Sequence, residues 1–213
     1  MKKVLPYSKQ ILDAADVRAV VSTLQSDFIT QGPKIKEFEQ ALANYSKARY
    51  AVVFSSGTAA LHGAYFAAHI ADEDEIITSP LTFAATTNAA LFLGARPVFC
   101  DIDEATGLIS TDAIERYITK RASAIVPVDY AGAPPDLEKI AAIAKKHQCL
   151  VIEDAAHSLG ATYRGKPLGG IADMTMFSFH PVKAITTGEG GAVVTNNRRF
   201  YERLTLFRNH GIT

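Results

Sequence analysis

The chain is short of cysteine, of surplus charge and of long apolar runs, and each shortage removes a class of protein. Cys100 and Cys149 are its two cysteines. They stand far apart, each in an apolar, strand-like run, so neither a disulfide framework nor a CxxC metal site is suggested and both read as reduced core residues. Lysine plus arginine and aspartate plus glutamate both number 22, for a formal charge of zero. No basic field is therefore available to hold nucleic acid or an anionic membrane. No window reaches the roughly 18 apolar residues a membrane helix needs, and the two lysines of MKKVLPYSKQ have no apolar run behind them. A cytoplasmic protein working on small molecules or with other subunits is expected. GxGxxG after a strand and GxxxxGK[ST] are both missing, which removes the NAD-binding and P-loop readings. There is no internal repeat, low-complexity tract or linker.

What is present is ample core. Of 213 residues 48% are hydrophobic, and short apolar runs alternate with amphipathic stretches, the pattern of an α/β sheet with helices on its faces. Seven strands are predicted at 50–55, 75–78, 97–100, 123–128, 149–153, 174–179 and 191–195. Most are continuous apolar runs, as strands buried on both faces should be. Apolar residues at i, i+3, i+4, i+7 predict helices over 16–26 and 35–45, and others are expected at 57–71, 83–93, 111–121, 137–147 and 197–208. The expected organisation is an N-terminal helical arm, 1–48, before a large domain, 49–213. The last unit ends in FRNHGIT with no closing element, where a longer chain is expected to continue.

In an open parallel sheet the binding crevice lies beyond the carboxyl ends of the strands, so the residues after each strand carry the functional reading. SSGTAA, Ser55 to Ala60, opens a helix with small residues. Its free amides, helix dipole and Thr58 hydroxyl suit a phosphate, while an ordinary N-cap remains the alternative. Phe83, in SPLTFA, is either a ring laid on a flat ligand or core packing. Asp154, in EDAAH after CLVI, is costly to bury unless it meets a cation, which a structural salt bridge or a protonated ring nitrogen would provide. FSFHPVKAITTGEGG, Phe177 to Gly191, places Lys183 behind Ser178 and His180 in a loop rich in glycine. A lysine in a desolvated pocket has its pKa lowered, and the neutral amine can attack a carbonyl; a surface lysine is the plainer reading. A phosphate cradle, a stacking ring, an acid and an amine together suit pyridoxal 5'-phosphate.

The motifs SSGTAAL, PLTFAAT, EDAAHSLGA and FSFHPVKAITTGEGG, in that order, resemble the DegT/DnrJ/EryC1/StrS family of sugar aminotransferases, within fold type I of the pyridoxal phosphate enzymes. The resemblance extends over essentially the whole chain, from FITQGPKIKEFEQALANY to AVVTNN. It implies a fold type I large domain with a seven-stranded, mostly parallel sheet, without the family's smaller C-terminal domain. It further implies that Lys183 is the catalytic Schiff-base residue, Asp154 the partner of the pyridine nitrogen and Phe83 the stacked ring. Gly57, Thr58 and Ser178 would hold the phosphate, and His157 would lie near the phenolic oxygen. The role of His180 stays open between packing and catalysis. VDYAG and ITTGEGGAVVTN most resemble members that put an amine on C4 of a UDP-linked 4-keto-6-deoxy-N-acetyl sugar, with glutamate as donor. UDP- or dTDP-linked keto sugars are thus the expected substrates, for surface glycan synthesis, and a homodimer the expected assembly. Members that remove a hydroxyl carry His in place of the lysine, and Lys183 argues against them. The competing reading is a truncated, non-catalytic cofactor-binding or interaction module.

Overall fold

The computed structural model describes Pro6 and residues 8–212; residues 1–5 and 7 of the N-terminal arm, and Thr213, lie outside the described residues. Helix α1, Ala14–Leu24, starts at a capping box in which Asp13 accepts from the Asp16 amide and Asp16 returns the bond. It contributes no buried residue. Helix α2, Pro33–Ser46, has proline in its first turn behind Gly32 and buries Leu42, Ala43 and Ser46, because proline's missing N–H and fixed φ suit that position.

The seven expected strands form one sheet. They are β1 Tyr50–Phe54, β2 Glu75–Thr78, β3 Arg96–Phe99, β4 Ala122–Val126, β5 Leu150–Asp154, β8 Met174–Ser178 and β9 Gly191–Thr195, with a small hairpin, β6 Thr162–Tyr163 and β7 Lys166–Pro167, between β5 and β8. The spatial order is β1-β9-β8-β5-β4-β2-β3. Only β9 runs antiparallel to its neighbours β1 and β8; the pairs from β8 to β3 are parallel. The central strands β2, β8 and β9 are buried along their whole length, which is why they read as unbroken apolar runs.

Helices cover both faces. Helix α3, Gly57–Ala67, α4, Ala85–Leu91, and α6, Arg198–Arg208, enclose one core built on Leu61, Tyr65, Ile76, Ile152 and Leu204. On the other face α2 and α5, Leu137–His147, close two clusters around Phe177 and Ile140. Helix α5 shows why its ends were readable: Asp136 caps the Lys139 amide, and Lys145, Lys146 and His147 fill the last turn where the dipole is negative.

One predicted helix is corrected. Residues 111–121 do not form an α-helix; a single 3-10 turn, Ile114–Tyr117, replaces it, and Ile118 is already extended. The cause is tertiary. The Thr119 hydroxyl donates to Glu75 and the Glu75 amide donates to the Arg121 carbonyl, so the sheet draws this segment straight into β4. The helix expected over 57–71 ends earlier, at Ala67, where His69 turns into the left-handed region and Ile70 N–H donates back to Tyr65.

Candidate active site

The strand ends β1, β2, β5 and β8 open onto one cavity of about 550 Å³. At its first corner the Ser56 side chain caps α3 by accepting the Ala59 N–H at 3.1 Å. That cap leaves the Gly57 and Thr58 amides without intrahelical partners, at the positive end of the dipole. The N-cap therefore sits on Ser56, and the two open amides beside it are free to meet an anion. Two glycines make the corner. A Cβ on Gly57 would stand 3.0 Å from Ser178 Cβ and 3.1 Å from its Oγ, so glycine lets the β8 hydroxyl reach the helix start. A Cβ on Gly191 would lie 2.6 Å from the Ser56 carbonyl carbon and oxygen, inside backbone that cannot yield.

Phe83 stands on the cavity wall and is 76% exposed, which excludes core packing. Asp154, at the end of β5, is 4% exposed. Its Oδ2 accepts the Thr86 hydroxyl at 2.6 Å and its Oδ1 the Ala156 N–H at 3.2 Å. Among the described residues it makes no ion pair within 4.0 Å, so the structural salt bridge is excluded too. Burial, the largest cause, holds its pKa above the usual carboxylate value; Thr86, the Ala156 amide and the charges of Lys183 and His157 oppose that rise in part. The carboxylate is thus supported by donors aimed at its charged form.

Lys183 lies in the turn after β8, where its N–H donates to the His180 carbonyl at 2.9 Å. Its half-buried side chain lines the cavity. Burial lowers its pKa and Asp154 opposes that shift. His157, on the same wall, is lowered by burial and then by the charge of Lys183, with Asp154 again opposing. His180 builds the turn: its Nδ1 accepts the Val182 N–H at 3.4 Å and its own N–H points to Ser178 Oγ at 3.5 Å.

All the predicted site residues, Gly57, Thr58, Phe83, Asp154, His157, Ser178 and Lys183, line this one cavity. Sequence reasoning missed Thr82, Thr86 and Asp129. Thr82 and Thr86 are four apart in PLTFAAT, the spacing of one helical face, which was the available signal. Asp129 had none, since its significance comes from Glu153 and Ser158, distant in sequence.

These residues fit pyridoxal phosphate: open amides and hydroxyls for the phosphate, a supported carboxylate for the ring nitrogen, an exposed ring and a desolvated amine. Fold and site together have the form of the large domain of a fold type I aminotransferase. The chain belongs to the DegT/DnrJ/EryC1/StrS aminotransferase family, whose model matches residues 10–213. Aminotransferases of this family depend on pyridoxal phosphate. A UDP-4-amino-4,6-dideoxy-N-acetyl-beta-L-altrosamine transaminase from Campylobacter jejuni is 44% identical over 211 residues, covering 98% of this chain and 56% of the relative. Among solved structures, PseC of Helicobacter pylori, an aminotransferase involved in the biosynthesis of pseudoaminic acid, superposes with a TM-score of 0.94 at 42% identity, over 99% of this chain and 57% of that one. Spr1654 of Streptococcus pneumoniae, in its pyridoxal phosphate form, gives 0.94 at 33% identity over 98% and 59%. The chain spans about half the length of the curated relatives it matches. Among the described residues no helix is long and apolar enough to cross a membrane.

Proposed function

We propose that this chain is the cofactor-binding part of a nucleotide-sugar aminotransferase. The whole protein moves an amine from glutamate to the C4 keto group of a UDP- or dTDP-linked 4-keto-6-deoxy sugar, and works as a cytoplasmic homodimer in surface glycan synthesis. The observation that carries the reading is the meeting of Lys183 and Asp154, with an open helix N-terminus, in one cavity.

When bound, pyridoxal phosphate supplies an electron sink and a carrier for the amine. The chain's own residues do the rest. The Gly57 and Thr58 amides, with the Ser178 hydroxyl, hold the phosphate. Asp154 would keep the ring nitrogen protonated, Phe83 would cover the ring face, and His157 would stand beside the phenolic oxygen. Lys183 would be the amine that holds the cofactor's aldehyde carbon, and as a free amine its Nζ would move a proton to and from carbon in each half of the transfer. Its lowered pKa suits both tasks, because only the neutral amine attacks or accepts a proton. The likeness to the C. jejuni transaminase and to PseC, at 44% and 42% identity, supports a sugar of the pseudaminic acid pathway as substrate.

The test is isotopic. Full-length protein with pyridoxal phosphate, 15N-glutamate and a UDP-linked 4-keto-6-deoxy-N-acetyl sugar should yield a 15N-labelled amino sugar by mass spectrometry. Unlabelled keto sugar recovered after many cofactor equivalents of time would overturn the proposal.

A further inference from the structure

Thr86 sits at the start of α4, fully buried, with its N–H, carbonyl and hydroxyl all hydrogen-bonded. Its Oγ1 donates to Asp154 Oδ2 at 2.6 Å, and the Thr82 Oγ1 stands 2.7 Å from it. A hydroxyl has one proton to give, and an ionised carboxylate can only accept. The Thr86 proton therefore goes to Asp154, and the bond between the two threonines runs from Thr82 to Thr86. The Thr86 carbonyl is held in turn by the buried Tyr65 hydroxyl at 2.9 Å. Both the backbone and the side chain of Thr86 are thereby fixed, and the two O–H bonds point one after the other at the carboxylate. Aligned hydrogen bonds in a low-dielectric interior polarise and strengthen each other.

We infer that Thr82 and Thr86 form a two-hydroxyl relay that orients the Asp154 carboxylate toward the cofactor's ring nitrogen and supplies the hydrogen bonds its charged form needs. The inference rests on the reading of Asp154 as that nitrogen's partner. Thr86 is a positioning residue; it is fully buried, whereas Thr82 lines the cavity. The groups whose charge lowers the pKa of Asp154 are Lys183 and His157 on the cavity side, while the charge of Asp154 raises the buried Tyr65 phenol and the carboxyls of Asp129 and Glu153. In their protonated forms Lys183 and His157 favour the charged carboxylate, and an ionised Asp129 or Glu153 opposes it. Beside the Ala156 amide, Thr86 is the hydrogen-bond donor that decides the balance. Valine has threonine's shape without the donor, so Thr86→Val removes the relay at constant volume. Serine keeps the donor and drops only a methyl group.

The test reads the ring nitrogen directly. Pyridoxal phosphate labelled with 15N in the ring is bound to the full-length protein, and its 15N shift and dissociation constant are measured for wild type, Thr86→Val, Thr86→Ser, Thr82→Val and Asp154→Asn. Thr86→Val should move the shift toward unprotonated pyridine and weaken binding about 10-fold, the scale of one hydrogen bond to a charged group. Thr86→Ser should restore both to within about 2-fold, and Thr82→Val should move both less, in the same direction. If Thr86→Val fails to fold, Thr82→Val on the cavity wall carries the same test. A wild-type shift in the threonine variants, with the shift lost in Asp154→Asn, would overturn the relay and leave the site reading standing. A wild-type shift in Asp154→Asn as well, or a wild-type protein that takes up no cofactor, would overturn both.

Discussion

Glu153 and Asp154 are neighbours on β5, yet the sheet sends them to opposite faces, as the two-residue period of a strand requires. Both are buried acids, and they are supported differently. Asp154, on the cavity face, has a donor on each oxygen, with Lys183 and His157 near enough for their protonated forms to favour its charge. Glu153, on the rear face, accepts the Thr175 hydroxyl at 2.7 Å on one oxygen and has no partner on the other. Burial, its largest cause, pushes its pKa up to about 7. Asp129, bonded to Ser158 through Oδ2, is raised in the same way by burial and then by the charge of Glu153, and its Oδ1 also lacks another partner. The two carboxyls interact, and a proton on one of them would reduce the cost of burying both orphan oxygens, about 1–3 kcal/mol each when unpaired. Burial raises all three carboxyls, and at Asp154 donors and positive charge aimed at the charged form oppose that rise on both oxygens.

Replacing the cavity acid should have the largest effect. Asp154→Asn keeps the shape and removes the charge, so pyridoxal phosphate should dissociate about 100-fold more easily, a loss of about 2.7 kcal/mol. The cofactor-free protein should be no less stable in urea, since a desolvated charge has gone. An unchanged dissociation constant would break the distinction between the two faces.

The rear acid should do the reverse. An acid whose folded pKa is raised stabilises least when both states are ionised: its contribution is full below the unfolded value of 4.5 and is lost as pH rises to about 7. Glu153→Gln has no such slope. Its stability relative to wild type should therefore grow by on the order of 2 kcal/mol between pH 5 and pH 8, while cofactor affinity stays within about 2-fold. Urea denaturation at the two pH values checks this; a gap that stays constant would place a charged Glu153 in the folded state at pH 5.

Thr175→Val should show the smallest effect and sharpen the pair. It removes the one hydroxyl that Glu153 accepts from, so it should cost about 1 kcal/mol more at pH 8, where the acid is charged, than at pH 5. Equal costs at both would assign the change to packing alone.

Much of the sheet was legible because burial on both faces writes an unbroken apolar run, as in YAVVF or MTMFS. The hairpin of β6 and β7 was not, since two residues a strand carry no period. The false helix over 111–121 came from trusting local pattern where Thr119 and Arg121 answer to Glu75, more than forty residues earlier. The candidate site divides the same way. Lys183, Asp154 and the SSGT turn each follow a strand directly and could be found one at a time. The support around them could not: Thr86 reaches Asp154 across 68 positions, and the need for glycine at 191 arises from backbone at Ser56. Only the folded sheet brings those pairs together.

The proposal that this chain builds the cofactor half of an aminotransferase site stands or falls on Lys183. The most direct measurement adds pyridoxal phosphate to the purified 213-residue chain, records the visible absorbance, reduces with borohydride and maps the modified peptide by mass spectrometry. A yellow complex with the reduced cofactor fixed on Lys183, and absent in Lys183→Ala, is the predicted result. No visible band, or label spread over the surface lysines, would contradict it.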